Sequence, residues 1–216
     1  QKNGVPAIIT NYNNSKHLQM GSGGSGGGFH LTTGNFFTIN QQPYADRGTD
    51  NNLTERFRIS SEGYVTKPAH PAFRAGRASS SQSVNGADAI IFNSTSSSDN
   101  LFNQGNHYST TTGKFTAPVA GVYSFFTHVI YENVSDGANL ADVFYMYVNN
   151  SRASFSHKRS EYVANTTGNN GYYTDTGDIF AVKLSAGDEV WVRQSISSMT
   201  VHPNPTYTTF SGFLIG

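Results

Sequence analysis

FNQGNHYSTTTGKFTAPVAGVYSFF, residues 102–126, is the stretch whose reading decides the fold. Asn103, Tyr108, Phe115, Gly121, Tyr123 and Phe125 mark it at fixed intervals, and it runs directly into an alternating segment. From Gly121 onward, Tyr123, Phe125, Thr127, Val129 and Tyr131 fall on one side, and Val122, Ser124, Phe126, His128 and Ile130 on the other. Alternation with period two is the signature of a β-strand. Large apolar groups on both sides predict a strand covered twice, by a partner sheet and by another subunit. Working outward, ADVFYMYVNN (141–150), YYTDTGDIFAVKLS (172–185), DEVWVRQSI (188–196) and YTTFSGFLIG (207–216) are comparable runs rich in Val, Ile, Tyr, Phe and Thr. Asn149-Asn150, Ser135-Asp136-Gly137 and Ala186-Gly187-Asp188 punctuate them as turns. No amphipathic helical period is present. Many short strands with turns between them predict an all-β sandwich or barrel.

The spacing of those aromatics, with TGKFTAPVAGVYSF (112–125), AGDEVWVR (186–193) and FSGFLIG (210–216) following in order, resembles the globular head of complement component 1q. That family belongs to the tumour-necrosis-factor-like jelly-roll superfamily. The resemblance spans roughly residues 70–216. Two positions depart from it: Ser97 stands where the family often has an aromatic, with Phe92 and Leu101 nearest, and Thr127 replaces a second aromatic beside Phe126. The resemblance implies a trimeric jelly-roll sandwich head that binds rather than catalyses. Asn103, Tyr108, Phe115, Gly121, Tyr123, Phe125, Trp191 and Phe213 are then its core and trimer signature, with Trp191 in the core or a subunit interface.

Composition narrows the partners. Charged residues make up 13% of the 216, with 14 basic against 14 acidic. That is about half the usual share, and a neutral surface rich in Asn, Ser, Thr and Gly lacks the basic face that nucleic acid requires. Aromatic stacking and neutral hydrogen bonds, as used for glycans, suit it better. Cysteine is absent, so stability has to come from something other than disulfides, and an apolar trimer interface would supply it. No signal peptide is visible and the first residue is Gln1, so the chain is expected to be a fragment or processed product. No apolar run is long enough to cross a bilayer.

Residues 1–66 differ in character. GSGGSGGG (21–28) reads as a flexible linker or loop without the Lys-Ser/Thr ending of a phosphate-binding loop, and it is not a Gly-X-Y repeat. TERFRISSEGYV (54–65) reads as a hairpin turning at Ser-Glu-Gly. It is similar to segments that precede the terminal domain in bacteriophage tail fibres. With so little apolar area it cannot fold alone, whereas three copies can share one core. Lys67-Pro68 and His70-Pro71 form the joint. The expected organisation is a β-structured fibre stem at 1–66 and the jelly-roll head at 67–216.

No catalytic set emerges. The seven histidines show no His-X-His or His-Glu-X-X-His spacing, no Gly-X-Ser-X-Gly elbow exists, and nothing in the sequence brings Glu161 and Glu189 together for glycoside cleavage. No cofactor is expected, with one exception. Asp175 and Asp178 have the oxygen density of a calcium loop but not its full series, and related heads can hold calcium near the threefold axis. Candidate ligand contacts are Tyr172, Tyr173, His202 and Tyr207, because aromatics beside polar turns make good anchors. The expected function is host-cell attachment by the distal head of a virion fibre, through a surface glycan or protein, with other virion proteins bound upstream. The alternatives are a secreted, extracellular ligand or adhesin of the complement-1q type, and a purely structural trimerisation cap.

Overall fold

The structure is a computed structural model that describes residues 8–12, 15–20, 29–32, 37–41, 54–134, 143–155, 157–163, 171–195 and 198–216. The glycine run at 21–28, the turn at 135–137 and the polar loop 166–170 lie outside these residues. The chain divides into two compact units, Gln1–Ala69 and His70–Gly216. Among the described residues there is one 3-10 turn, Ser97–Asp99, and otherwise β-structure. No helix among them is long and apolar enough to cross a membrane.

In the first unit β1 (Ile8–Tyr12), β2 (Ser15–Met20) and β3 (Phe29–Thr32) form one antiparallel sheet. A second contains β4 (Phe37–Gln41), β5 (Thr54–Ile59) and β6 (Val65–Thr66). The hairpin expected at 54–65 is the β5–β6 pair. Its turn closes through Ser60 N–H to Tyr64 O at 2.9 Å and Gly63 N–H to Ser60 O at 3.0 Å. Gly63 takes φ +87° with open space around it, a left-handed geometry that favours glycine at this turn. Phe37 and Phe57 meet edge to face at 6.3 Å, while Tyr64 and Val65 remain 71% and 56% exposed.

The second unit is an antiparallel jelly-roll sandwich. Its five-stranded sheet runs β10 (Tyr108–Ser109), β11 (Lys114–Thr116), β17 (Glu189–Gln194), β13 (Phe144–Val148) and β14 (Ser151–Arg152). The eight-stranded sheet runs β15 (His157–Val163), β16 (Gly171–Leu184), β12 (Gly121–Val134), β19 (Thr209–Leu214), β7 (Ala72–Gly76) and β9 (Phe102–Gln104). β18 (Met199–Val201) pairs with β12 and β8 (Gln82–Val84) at its side. The runs expected as strands are β13, β16, β17 and β19.

The core between the sheets is aromatic. Phe73 stacks on Tyr108 at 4.8 Å and on Phe115 at 5.1 Å, and Phe125 lies 5.5 Å from Phe115 and 5.9 Å from Phe210. Such offset and edge contacts add to the burial of large rings, each removing 150–250 Å² from water by general experience. The family spacing has a mechanical origin here. The Asn103 amide donates to Tyr108 O at 2.8 Å and accepts from Tyr108 N–H at 3.1 Å, clamping the turn that delivers Tyr108 to the core. Phe92 and Leu101, nearest to the anomalous Ser97, are both buried in the core region, and Thr127 is fully buried with its hydroxyl donating to Thr209 O at 2.9 Å. Gly121 and Gly212 are packing glycines. A Cβ on Gly121 would sit 2.6 Å from Leu214 Cδ1, and one on Gly212 would sit 2.4 Å from the Phe125 ring.

The sandwich covers the Tyr123–Tyr131 side of β12, and Phe126 is 46% exposed on the side where the sequence reading expects another subunit. Phe213, expected in the core or trimer signature, lies outside the sandwich core and is 50% exposed, because along β19 it is Phe210 and Gly212 that turn inward.

Candidate functional site

The outer face of the eight-stranded sheet follows from strand register. Ser124 stands opposite Phe213 and Phe213 opposite Ala72; one row on, Phe126 stands opposite Ser211, Ser211 opposite Arg74, and Arg74 opposite Phe102. The register shift between Tyr123 and Phe125 sets Phe180 and Ala181 beside Ser124. Phe102, Phe126, Phe180 and Phe213 therefore gather at one end of this face, all of them exposed.

The other end is polar and carries the tyrosine and histidine expected as ligand contacts. It lies about 25 Å further along β12, counting eight residues at strand rise. His202 Nδ1 is 2.7 Å from Glu132 Oε2, Ser81 donates to Glu132 Oε1 at 2.5 Å, and the Tyr172 ring meets the His202 ring edge to face at 5.4 Å. Burial pushes the Glu132 carboxyl upward, but the hydrogen bonds from His202 and Ser81 outweigh it and hold the carboxyl below its ordinary value. Tyr207 is 58% exposed, and its backbone oxygen meets His128 Nδ1 at 2.6 Å.

The four candidates thus separate. Tyr172 and His202 are together and Tyr207 is on an exposed turn, but Tyr173 is 3% exposed and packs at 6.4 Å from Tyr131 in the core. It cannot be a ligand contact in this fold, because adjacent strand residues point to opposite faces. The same parity separates Asp175 from Asp178. Asp175 is fully buried and 3.3 Å from Lys158 Nζ, whereas Asp178 lies on the outer face opposite Phe126. They stand in a strand rather than a turn, their carboxylates do not converge, and no group of three potential ligands occurs among the described residues. Burial, with the nearby Asp175 carboxylate adding to it, pushes the Tyr131 hydroxyl well above its ordinary pKa.

Trp191 is 8% exposed, but it does not point between the sheets. It lies on the outer side of the five-stranded sheet, stacked on Tyr147 at 5.8 Å and covered by Lys114 Nζ at 4.5 Å. Sequence periodicity gave no warning of this, since the tryptophan is shielded by side chains from two other strands.

Ser81, Glu132 and His202 deserve a chemical reading. The carboxylate sits between the serine and the histidine, so the imidazole contacts the carboxylate rather than the hydroxyl. A nucleophilic serine needs the histidine in the middle position to take its proton. This trio orders a surface instead. The class so defined is an antiparallel jelly-roll head that presents side chains on sheet faces and strand ends. The chain belongs to the C1q domain family, whose model matches residues 72–215. It is 34% identical over 128 residues to complement C1q tumor necrosis factor-related protein 3 of Mus musculus, covering 58% of this chain and 44% of that protein. It is 29% identical over 119 residues to complement C1q and tumor necrosis factor-related protein 9B of Homo sapiens, covering 53% and 31%. The chain thus spans less than half the length of these relatives. The structure of Eiger TNF from S. frugiperda superposes with a TM-score of 0.48 at 14% identity, over 69% of this chain and 94% of that one.

Proposed function

We propose that this chain is the head of an extracellular C1q-like ligand that acts as a homotrimer and binds a cell-surface glycan or protein without catalysis. The observation that carries the reading is the aromatic end of the outer face: Phe102, Phe126 and Phe213 are 47%, 46% and 50% exposed in neighbouring rows of one sheet. Exposed apolar patches of this kind mark association surfaces, and three copies sharing such a face around a threefold axis would cover it without a disulfide. The C1q-family relatives favour this extracellular reading. The narrower reading, a bacteriophage tail-fibre head, draws only on the β5–β6 hairpin and its small apolar area.

Tyr172, His202 and Tyr207 would supply the recognition surface at the polar end, with affinity raised by three sites acting together. Light scattering at micromolar concentration should give a mass of three 23.4-kDa chains. Phe126→Asp with Phe213→Asp should give folded monomers, and a monomeric unmutated protein would sink the proposal. Tyr172→Ala, His202→Ala and Tyr207→Ala together should leave the trimer intact and lower cell binding. Undiminished binding would reject that surface.

A further inference from the structure

The solvent face of the five-stranded sheet carries a row of aromatic rings capped by cations. Four strands bring Lys114, Trp191, Tyr147 and Arg152 into one straight cross-strand row: Lys114 is registered with Trp191, Trp191 with Tyr147, and Tyr147 with Arg152. In the next row Arg193 stands opposite Tyr145. The arginines then cross over. Arg152 lies on the Tyr145 ring, its guanidinium carbon 2.9 Å from the ring centroid, and Arg193 lies over the Tyr147 ring at 4.9 Å. The two inner rings of the row, Tyr147 and Trp191, are within 20° of parallel. Each cation rests on a ring face, so its chain is ordered before any ligand arrives.

The acidic groups nearby are held in place, one by an ion pair and two by hydrogen bonds from neutral groups. Glu189 pairs with Lys114 at 2.7 Å. The Asp188 carboxylate accepts from Asn149 and from Ser185 N–H, and Asp88 accepts from Asn85 N–H at 2.8 Å. Asp188 and Asp88 keep their negative charge in these turns, and Arg152 and Arg193 are the cations of this face that pair with no carboxylate among the described residues.

We propose that this face binds a linear sulfated polysaccharide, with the guanidinium groups of Arg152 and Arg193 as its sulfate contacts. The row spans about 14 Å from Lys114 to Arg152, three interstrand steps, across four hydrogen-bonded strands of one sheet, a path that an extended anionic chain can follow. A guanidinium presents a planar fork of donors that matches an oxyanion better than an ammonium does. The rings are occupied: Trp191 is 8% exposed under Lys114 and against Tyr147, and Tyr145 is 8% exposed under Arg152. That disfavours single-stranded nucleic acid, which needs open ring faces for its bases. An acidic peptide would gain nothing from this face beyond its charge. This inference does not depend on the trimer.

The test is binding of the full chain to immobilised heparin, with desulfated heparin, polyglutamate and oligothymidylate as competitors and over a range of salt. Heparin should bind and weaken steadily as salt rises, and the three competitors should displace it poorly. Arg152→Ala with Arg193→Ala should lower affinity by roughly tenfold or more, the scale of losing charge-assisted hydrogen bonds. The double lysine variant should fall between the two. Arg159→Ala, on the edge of the other sheet and 71% exposed, should bind as the unmutated chain does. Circular dichroism melts would confirm that the variants fold. Undiminished binding by the double alanine variant would overturn the proposal, as would full retention by the double lysine variant or equal competition by polyglutamate, oligothymidylate or desulfated heparin.

Discussion

Gly212→Ala should destabilise the head by driving a methyl group into the Phe125 ring. The added Cβ would lie 2.4 Å and 2.6 Å from two carbons of that ring and 3.0 Å from a carbon of Phe73. Ordinary carbon contacts are about 3.5–4.0 Å, so the overlap is about an ångström. Phe125 has nowhere easy to go, because Phe115, Tyr123 and Phe210 surround it at 5.5, 6.2 and 5.9 Å. Overpacking of this kind costs about 1–3 kcal/mol, and reduced freedom of the unfolded chain returns about 0.4–1 kcal/mol. A net loss of about 1.3 kcal/mol corresponds to a melting temperature lower by roughly 3–5 °C for a protein of this size. Thermal melts and urea titrations at fixed protein concentration would measure it, since association would otherwise shift the midpoint. The decisive version is a cycle with Phe125→Leu. Removing the ring should relieve the clash, so the double variant should be more stable than the sum of the single losses by about 1 kcal/mol or more. Gly187→Ala provides contrast: it has φ +89° and nothing within 4 Å, so it should show backbone strain of about 1 kcal/mol and no coupling to Phe125. An unchanged midpoint for Gly212→Ala, or strict additivity with Phe125→Leu, would refute the close packing of β19 on the core.

Asn103→Ala removes both contacts with the Tyr108 backbone and should cost about 1–3 kcal/mol, read as a lower urea midpoint; Asn103→Asp should not rescue it, because its second oxygen would face the Tyr108 carbonyl as acceptor against acceptor. Trp191→Ala should cost about 2–4 kcal/mol for a large shielded aromatic, and Trp191→Phe less, with tryptophan fluorescence of the native protein insensitive to quenchers. The Glu132 carboxyl is held below its ordinary value of 4.5 in the folded state. Its contribution is therefore fully present above 4.5, and is lost as pH falls through the lower folded value. Glu132→Gln should lower stability at neutral pH and flatten the loss on acidification below about pH 4.5, which acid titration followed by circular dichroism would detect; an identical acid profile would exclude the Ser81–Glu132–His202 arrangement.

Alternation along 121–131, the turns at Asn149-Asn150 and Gly187, and the spacing from Asn103 to Phe125 were enough to read an all-β sandwich. Strand period, turn chemistry and a local clamp such as Asn103 on Tyr108 are properties of neighbouring residues. Phe115, Tyr123 and Phe125 were marked by the family resemblance; the alternation did not show which side of the strand faces inward, since both sides carry large apolar groups. The face occupied by a side chain was harder to read wherever both parities offered plausible residues. Along β16 an inward series contains Tyr173 and the buried Asp175, and an outward one contains Tyr172 and Asp178, so only packing against Tyr131 and pairing with Lys158 decided between them. For Phe213 the sequence did not separate core from trimer face, because nothing local reveals that Gly212 makes room for a ring from another strand.

What the sequence by itself determined is the all-β class and the longer strands β12, β13, β16, β17 and β19, because these depend on backbone preference and period over a few residues. The tertiary structure alone decided which exposed groups meet. Glu132 and His202 are 70 residues apart in the chain, and Lys114 and Glu189 are 75 apart. The row from Lys114 through Trp191 and Tyr147 to Arg152 exists only because three strand pairings share one register. A one-residue slip in any of them would turn its side chains to the opposite face, and that register is fixed by the packing of the whole sandwich rather than by any segment within it.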